Sequence, residues 1–310
     1  MKLAVFWGCR ILTSQYAYEM STRQVLPQFG VELVDLRENH CCGNVVESVN
    51  RFASIYMAAR VLALANETGL KDLLVPCSRC HFTLSETQCL LGADKKLEEK
   101  VTVLLDEEKL AYSSDIKVWH IVDFLHDAVG VDKIREKVKI PLKGFRFASH
   151  IGCQAFRPSY MKRVDCPENP KKLDRLIEAL GAESVEYNEK LDCCGAALML
   201  SHPEAGLSLT GSKLKALQEL KLDGLVDSCP AGHMMFDTKQ EEATAIIGSK
   251  LSLPVFYYTQ LLGLAMQIET KELGLQLNKS PIEKILEKRV IMGNWAKAQF
   301  YFSASKDSRK

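Results

Sequence analysis

A chain of 310 residues, 47% of them apolar, is long enough for two domains and a full core. Its formal charge of +1 is spread without any block of like sign, which excludes a general nucleic-acid or polyanion binder. No charged-then-apolar signal segment precedes the first apolar run, Lys2 to Phe6, and the most apolar late stretch, Leu253–Ile268, is broken by Pro254, Tyr257, Tyr258, Thr259 and Gln260. A packed helix, a cytoplasmic location and no transmembrane segment are therefore expected, with contact to a membrane only through partners.

In chain order, short apolar runs predict strands at Leu3–Phe6, Glu32–Asp35 and Leu73–Pro76, then at Arg146–Ser149, Ser184–Tyr187 and Leu225–Asp227. Longer stretches of helical period lie between them, including Val46–Leu64 and Pro170–Leu180. This alternation predicts an α/β fold of parallel sheets flanked by helices. A charged stretch near Ala93–Ser114 reads as a surface excursion in the first half only. Pro141, within Lys139–Gly144, marks a linker, so the expected domains are 1–138 and 145–270, followed by a helical tail over 271–310.

The two halves repeat each other. Cys9, Cys41-Cys42-Gly43 and Cys77-Ser78-Arg79-Cys80 in the first half answer to Cys153, Cys193-Cys194-Gly195 and Cys229-Pro230-Ala231-Gly232 in the second. Thirty-four residues separate the double cysteine from the next one in both copies. Phe6-Trp7-Gly8-Cys9 matches His150-Ile151-Gly152-Cys153, and Val118–Leu125 matches Val255–Leu262. Nine of the 11 cysteines thus fall into sets of five and four, at the carboxyl ends of strands, where ligands gather in such folds. In a reducing compartment, clustered thiols argue for metal rather than disulfides. Five cysteines, two of them adjacent, suit iron and sulfide better than one tetrahedral zinc; four leave zinc open at the second site. Helix starts beside the cysteines should aim N–H groups at an anionic cluster.

This pattern closely resembles the catalytic B subunit of heterodisulfide reductase and the wider CCG-domain family, over nearly the whole chain. Asp165-Cys166-Pro167-Glu168-Asn169-Pro170 followed by Leu176–Gly181 adds a minor match. The resemblance implies tandem pseudo-symmetric CCG domains. It also implies a noncubane [4Fe–4S] cluster on Cys9, Cys41, Cys42, Cys77 and Cys80, where a disulfide is opened on cluster iron. Electrons would come from a ferredoxin-like subunit that draws on a flavin subunit. The second copy keeps Cys153, Cys193, Cys194 and Cys229 but has Gly232 where the family has its fifth cysteine. A second [4Fe–4S] cluster of uncertain type on four cysteines, or zinc, is the expectation there. Similar CCG domains in the family also serve as electron-transfer subunits of quinone-linked succinate, glycolate or lactate dehydrogenases, which gives the alternative reading.

His81 and its counterpart His233 directly follow the closing motifs; His81 is the candidate proton donor to a leaving thiolate. Arg79, and less directly Arg10 and Arg157, are candidates to attract an anionic substrate. His150 reads as a packed polar residue, Cys89 as a small buried side chain, and Cys166 as a loop cysteine with at most a spare-ligand role. Gly43, Gly195, Gly8 and Gly152 read as glycines needed for positive φ or close approach to the cluster.

Overall fold

The computed structural model describes residues 1–161 and 163–288. Among these residues eight strands form two sheets: β1 (Lys2–Val5), β2 (Glu32–Asp35), β3 (Asp72–Val75), β4 (Lys117–His120), β5 (Arg146–His150), β6 (Glu183–Ser184), β7 (Gly224–Asp227) and β8 (Val255–Tyr257). All pairings are parallel, and the orders are β2-β1-β3-β4 and β6-β5-β7-β8. Parallel neighbours need long crossovers, and helices supply them and cover both faces. The central strands are accordingly apolar without alternation: β3 and β7 are buried almost throughout.

Four elements differ from the sequence expectation. The fourth strand of each sheet, β4 and β8, is short and was not legible as a strand. The Leu253–Ile268 stretch opens on β8 and becomes helical only over Tyr258–Ala265. Of Ser184–Tyr187 only Ser184 pairs, in a two-residue strand with Glu183. The charged stretch after Ala93 is a helix, Lys95–Glu107, whose start is capped by the Asp94 carboxylate accepting from the Lys96 and Leu97 amides; it buries Val101 and Leu105. In the tail, residues 283–288 are helical and the stretch 289–310 lies outside the described residues.

The halves exchange equivalent helices across their boundary. Tyr16–Val25, after β1, packs on Tyr258–Ala265, after β8; Lys172–Ala179, of the second half, packs on Val131–Lys137, after β4. One buried cluster therefore runs through both sheets, from Leu3 and Leu74 to Phe147, Phe256 and Tyr257. At its centre Tyr18 and Tyr257 stack at 4.0 Å, Tyr257 Oη donates to Gln15 Oε1 at 2.7 Å, and Tyr18 Oη donates to the Ser228 carbonyl at 2.9 Å. Among the described residues no helix is long and apolar enough to cross a membrane.

Candidate metal centre

Cys9, Cys77, Cys153 and Cys229 each sit just past a strand. Cys9 lies in the first turn of Gly8–Ser14 after β1, and Cys77 caps Ser78–Ala93 after β3, with Cys80 in that helix's first turn. Cys153 opens Cys153–Phe156 after β5, and Cys229 caps Pro230–His233 after β7. The double cysteines enter from the turns that follow β2 and β6. All 11 thiols are free.

The thiols form a line of contacts. Cys9 meets Cys41, Cys41 meets Cys42, Cys42 meets Cys80 and Cys80 meets Cys77. Cys77 then reaches Cys229 of the other half, while Cys153, Cys193 and Cys194 form a second run. Each set goes from an accessible end, at Cys9 or at Cys153, to a buried one; Cys42, Cys77, Cys80, Cys194 and Cys229 are all buried. Hydrogen bonds from Cys42 and Cys9 hold the Cys41 thiol down at about 2, and those from Cys153 and Cys194 hold Cys193 at about 2. The donor to Cys41 on the inner side, Cys42, is pushed up to about 12 by that same contact. Negative charge is therefore favoured at Cys41 and Cys77 in the first set and at Cys193 in the second. Among the described residues no three His, Cys, Asp or Glu side chains already converge as a single-ion cage. The extended run of sulfurs suits a group with several irons.

Backbone amides favour negative charge here. Gly43 and Gly195 have φ of 94° and 86°, and the turn they permit folds the chain's N–H groups back onto the preceding sulfurs. The Gly195 amide donates to Cys193 Sγ at 3.4 Å, and those of Gly43 and Val45 donate to Cys41. A Cβ on Gly43 would stand 2.5 Å from the Ser54 carbonyl oxygen, and one on Gly195 would stand 2.1 Å from that of Gly206. At Gly8, with φ of 71°, a Cβ would stand 2.8 Å from a side-chain atom, Cys80 Sγ.

The histidines have diverged between the copies. His81 is buried against His120, edge to face at 5.7 Å, and its Nδ1 has no hydrogen-bond partner. Burial, then the Arg163 charge, pushes its pKa down to about 3, so the ring is neutral at ordinary pH. His233 stacks on Tyr257 at 3.7 Å and pairs with the buried Asp227 at 3.2 Å. Burial pulls the His233 pKa down, but the Asp227 charge and hydrogen bond outweigh it and raise it; burial lifts Asp227 to about 6. His120, which the sequence did not single out as a site residue, accepts from the Val122 amide at Nδ1 (3.3 Å). Its Nε2–H is thus free to donate to Ser78 Oγ at 3.1 Å, and Ser78 donates to the Ile151 carbonyl at 2.9 Å. That chain ties β4 to the loop holding Cys153.

The second set has its own surroundings. Lys213, 1% exposed, lies in Pro203–Glu219 and donates to the carbonyls of Lys190 (3.2 Å) and Asp192 (3.1 Å). Burial pushes its pKa down to about 8, against the pull of the Cys194, Asp192 and Cys193 charges. Sequence reasoning missed it, yet a signal exists. Val61 follows Cys42 by nineteen residues and Lys213 follows Cys194 by nineteen, so the lysine replaces an apolar residue in the repeat. Arg79, inside the first set's C-x-x-C, brings its charge to Cys153 of the second half. Arg10 Nη1 donates to Met234 Sδ at 2.8 Å, and Arg157 lies over its neighbour Phe156. Cys89 and Cys166 are exposed and join neither run. For Cys89 this corrects the expected burial: its face of the Ser78–Ala93 helix turns outward.

A family model for the cysteine-rich domain, CCG, matches twice, at residues 3–85 and 147–237. The B subunit of a CoB-CoM heterodisulfide reductase of Methanosarcina acetivorans is 31% identical over 281 residues, 89% of this chain and 93% of the relative. A protein of Archaeoglobus profundus named as similar to the heterodisulfide reductase B subunit is 31% identical, over 88% of this chain and 93% of that one. The 8-methylmenaquinol:fumarate reductase membrane anchor subunit of Wolinella succinogenes is 29% identical, over 89% and 96%. A crystal structure of a hypothetical protein from Helicobacter pylori shares the fold with a TM-score of 0.71 at 18% identity, over 90% of this chain and 51% of that chain. Such relatives imply iron–sulfur clusters and partner subunits, and the lines of thiols with their amide donors fit cluster ligation. The chain belongs to the CCG cysteine-rich domain family, among the heterodisulfide reductase B subunits.

Proposed function

We propose that this chain is the catalytic iron–sulfur subunit of a heterodisulfide reductase-like complex, reducing a small disulfide or, in reverse, oxidising two thiols. The observation that carries this reading is the unbroken run of five free thiols from accessible Cys9 to buried Cys77. Cys9, Cys41, Cys42, Cys77 and Cys80 would hold a noncubane [4Fe–4S] cluster. That group supplies electrons singly and offers iron to sulfur. Reduction breaks one S–S bond, takes two electrons from a ferredoxin-like subunit fed by a flavin subunit, and takes two protons to leave two thiols. His81, beside Cys80, is the nearest imidazole to the first set, and as a neutral ring it would receive and hand on a proton through its unpartnered Nδ1 rather than act as the acid itself. Arg79 would attract an anionic substrate. Val45, Val49 and Leu200, exposed near the two CCG turns, offer apolar surface to the partner subunits.

A second reading has an observation of its own. Gly232 supplies no thiol, and a relative is named as a subunit of a quinol:fumarate reductase. The chain would then relay electrons in a quinone-linked dehydrogenase, with a cluster or zinc on Cys153, Cys193, Cys194 and Cys229. In both readings it works on the cytoplasmic side and meets a membrane only through partners.

Iron, acid-labile sulfide and zinc should be measured on protein purified without oxygen, followed by thiol titration of the oxidised protein under paramagnetic resonance. A thiol-dependent signal supports substrate binding at the first set; silence across anionic and neutral thiols favours the relay.

A further inference from the structure

The two copies differ at a matched pair of positions. The first half has Phe6 and Cys80 where the second has His150 and Gly232. The exchange is spatial as well as sequential. A Cβ on Gly232 would stand 3.2 Å from His150 Cδ2 and 3.4 Å from Nε2, so the imidazole borders the space a fifth cysteine side chain would enter. His150 is 2% exposed, its ring is braced edge-on by Phe236 at 5.0 Å, and its charge environment includes Cys193. Its two nitrogens have different fates. Nδ1 lies 3.2 Å from Lys213 Nζ, and Nε2 has no hydrogen-bond partner. A buried polar atom without a partner costs about 1–3 kcal/mol, and a protein that keeps one usually has a use for it.

We infer that His150 Nε2 is the fifth donor of the second site, standing in for the absent cysteine. The inference rests on the reading that the second set holds an iron–sulfur cluster. Imidazole replaces thiolate on iron in known types of iron–sulfur centre, where it raises the reduction potential because it carries no negative charge. A histidine ligand is normally held through its other ring nitrogen, and here Lys213 provides that hold. Lys213 Nζ is itself anchored on the Lys190 and Asp192 carbonyls, so its 3.2 Å contact with Nδ1 fixes the plane of the ring. Asp192 precedes Cys193, so the ring is tied to the CCG turn that it serves. The second cluster, less negative by one ligand charge, becomes the easier of the two to reduce.

The test uses the full chain, purified without oxygen and labelled with 15N-histidine, in three forms: wild type, His150→Phe, and His150→Phe with Gly232→Cys. The double variant copies the Phe6–Cys80 arrangement. Wild type is expected to hold about eight irons and to show the strong nitrogen coupling of a directly bound histidine in pulsed paramagnetic resonance. His150→Phe should lose that coupling and up to half its iron. The double variant should regain the iron without the coupling, and its second cluster should reduce at a lower potential. Retention of all iron by His150→Phe, or only the weak coupling of an N–H···S hydrogen bond in wild type, overturns the ligand assignment and leaves the cluster reading intact. About four irons in wild type, with or without zinc, overturns both, and metal analysis alone reveals that case. Circular dichroism of the double variant separates a lost ligand from a lost fold.

Discussion

The Cys229 thiol hydrogen-bonds the sulfur of Cys77, so the buried end of the first run reaches a cysteine of the second set across the boundary between the halves. Both residues cap helices that start just past a central strand, β3 or β7. The pseudo-symmetry therefore brings equivalent strand ends together, while Cys9 at the far end of the first run is exposed and Cys153 is half-buried. Groups bound by the two runs would be near neighbours, with a short path for electrons between them.

Cysteine substitutions should separate ligands from bystanders. Cys80→Ser is expected to lose the first cluster, about four irons, whereas Cys89→Ser and Cys166→Ser, at exposed positions outside both runs, should keep the wild-type content. Iron and sulfide assays on anaerobic protein check this. Equal iron in Cys80→Ser and wild type removes Cys80 from the ligand set.

Gly43→Ala and Gly195→Ala should be severely destabilising. Overpacking costs about 1–3 kcal/mol and the left-handed backbone adds about 1–2 kcal/mol. The obstacles are backbone carbonyls at 2.5 and 2.1 Å, which cannot turn aside as a side chain could. Gly30→Ala is the control, since it shares a positive φ of 72° but meets nothing within 4 Å. Urea unfolding should show a loss at Gly43 or Gly195 at least twice that at Gly30.

Acid should weaken the fold partly through His120. Burial, then the charges of His81 and Arg163, holds its folded pKa well below the ordinary value. The folded state keeps the ring neutral, while the unfolded chain binds a proton below about pH 6.5. The stability this histidine confers is therefore complete above that pH and falls by up to about 1.4 kcal/mol per unit as the pH drops. His120→Phe should be less stable at pH 7.5, because the Val122 amide loses its acceptor, yet less sensitive to acid. Denaturant midpoints between pH 7.5 and 5.5 decide it; parallel slopes for variant and wild type would falsify the assignment.

Arg79→Leu should leave iron content unchanged and raise the KM for an anionic disulfide roughly tenfold, with the gap closing at high salt. The basis is that the Arg79 charge reaches Cys153, so it stands between the two sets rather than out in solvent. A KM that rises equally for a neutral disulfide would point to a packing defect instead.

Residues 1–138 and 145–270 should not fold as separate pieces. The Tyr18–Tyr257 stack, the Ser21–Thr259 hydrogen bond at 2.7 Å and the Ser78–Ile151 hydrogen bond all cross between them, within a shared apolar cluster. Each piece alone is expected to lack a cooperative unfolding transition, and mixing the two should restore it. A cooperative transition in 1–138 by itself would show that the halves are autonomous.

The duplication, the parallel-sheet class, most strands and both cysteine sets are set down in the sequence, because spacing and apolar period are local properties. Cys9, Cys77 and Cys229 could be placed at strand ends from their positions alone. What lay beyond reach depends on partners far away in the chain. β4 and β8 are only four and three residues long, and each takes its identity from pairing with β3 or β7. The outward face of Cys89, the Cys77–Cys229 contact, and the meeting of Lys213, His150 and Gly232 were likewise decided only by packing. In the repeat, the replacement of Val61 by Lys213 or of Cys80 by Gly232 is a list of separate changes. Folding brings the new side chains within about one hydrogen-bond length of each other, and only there do they become one site.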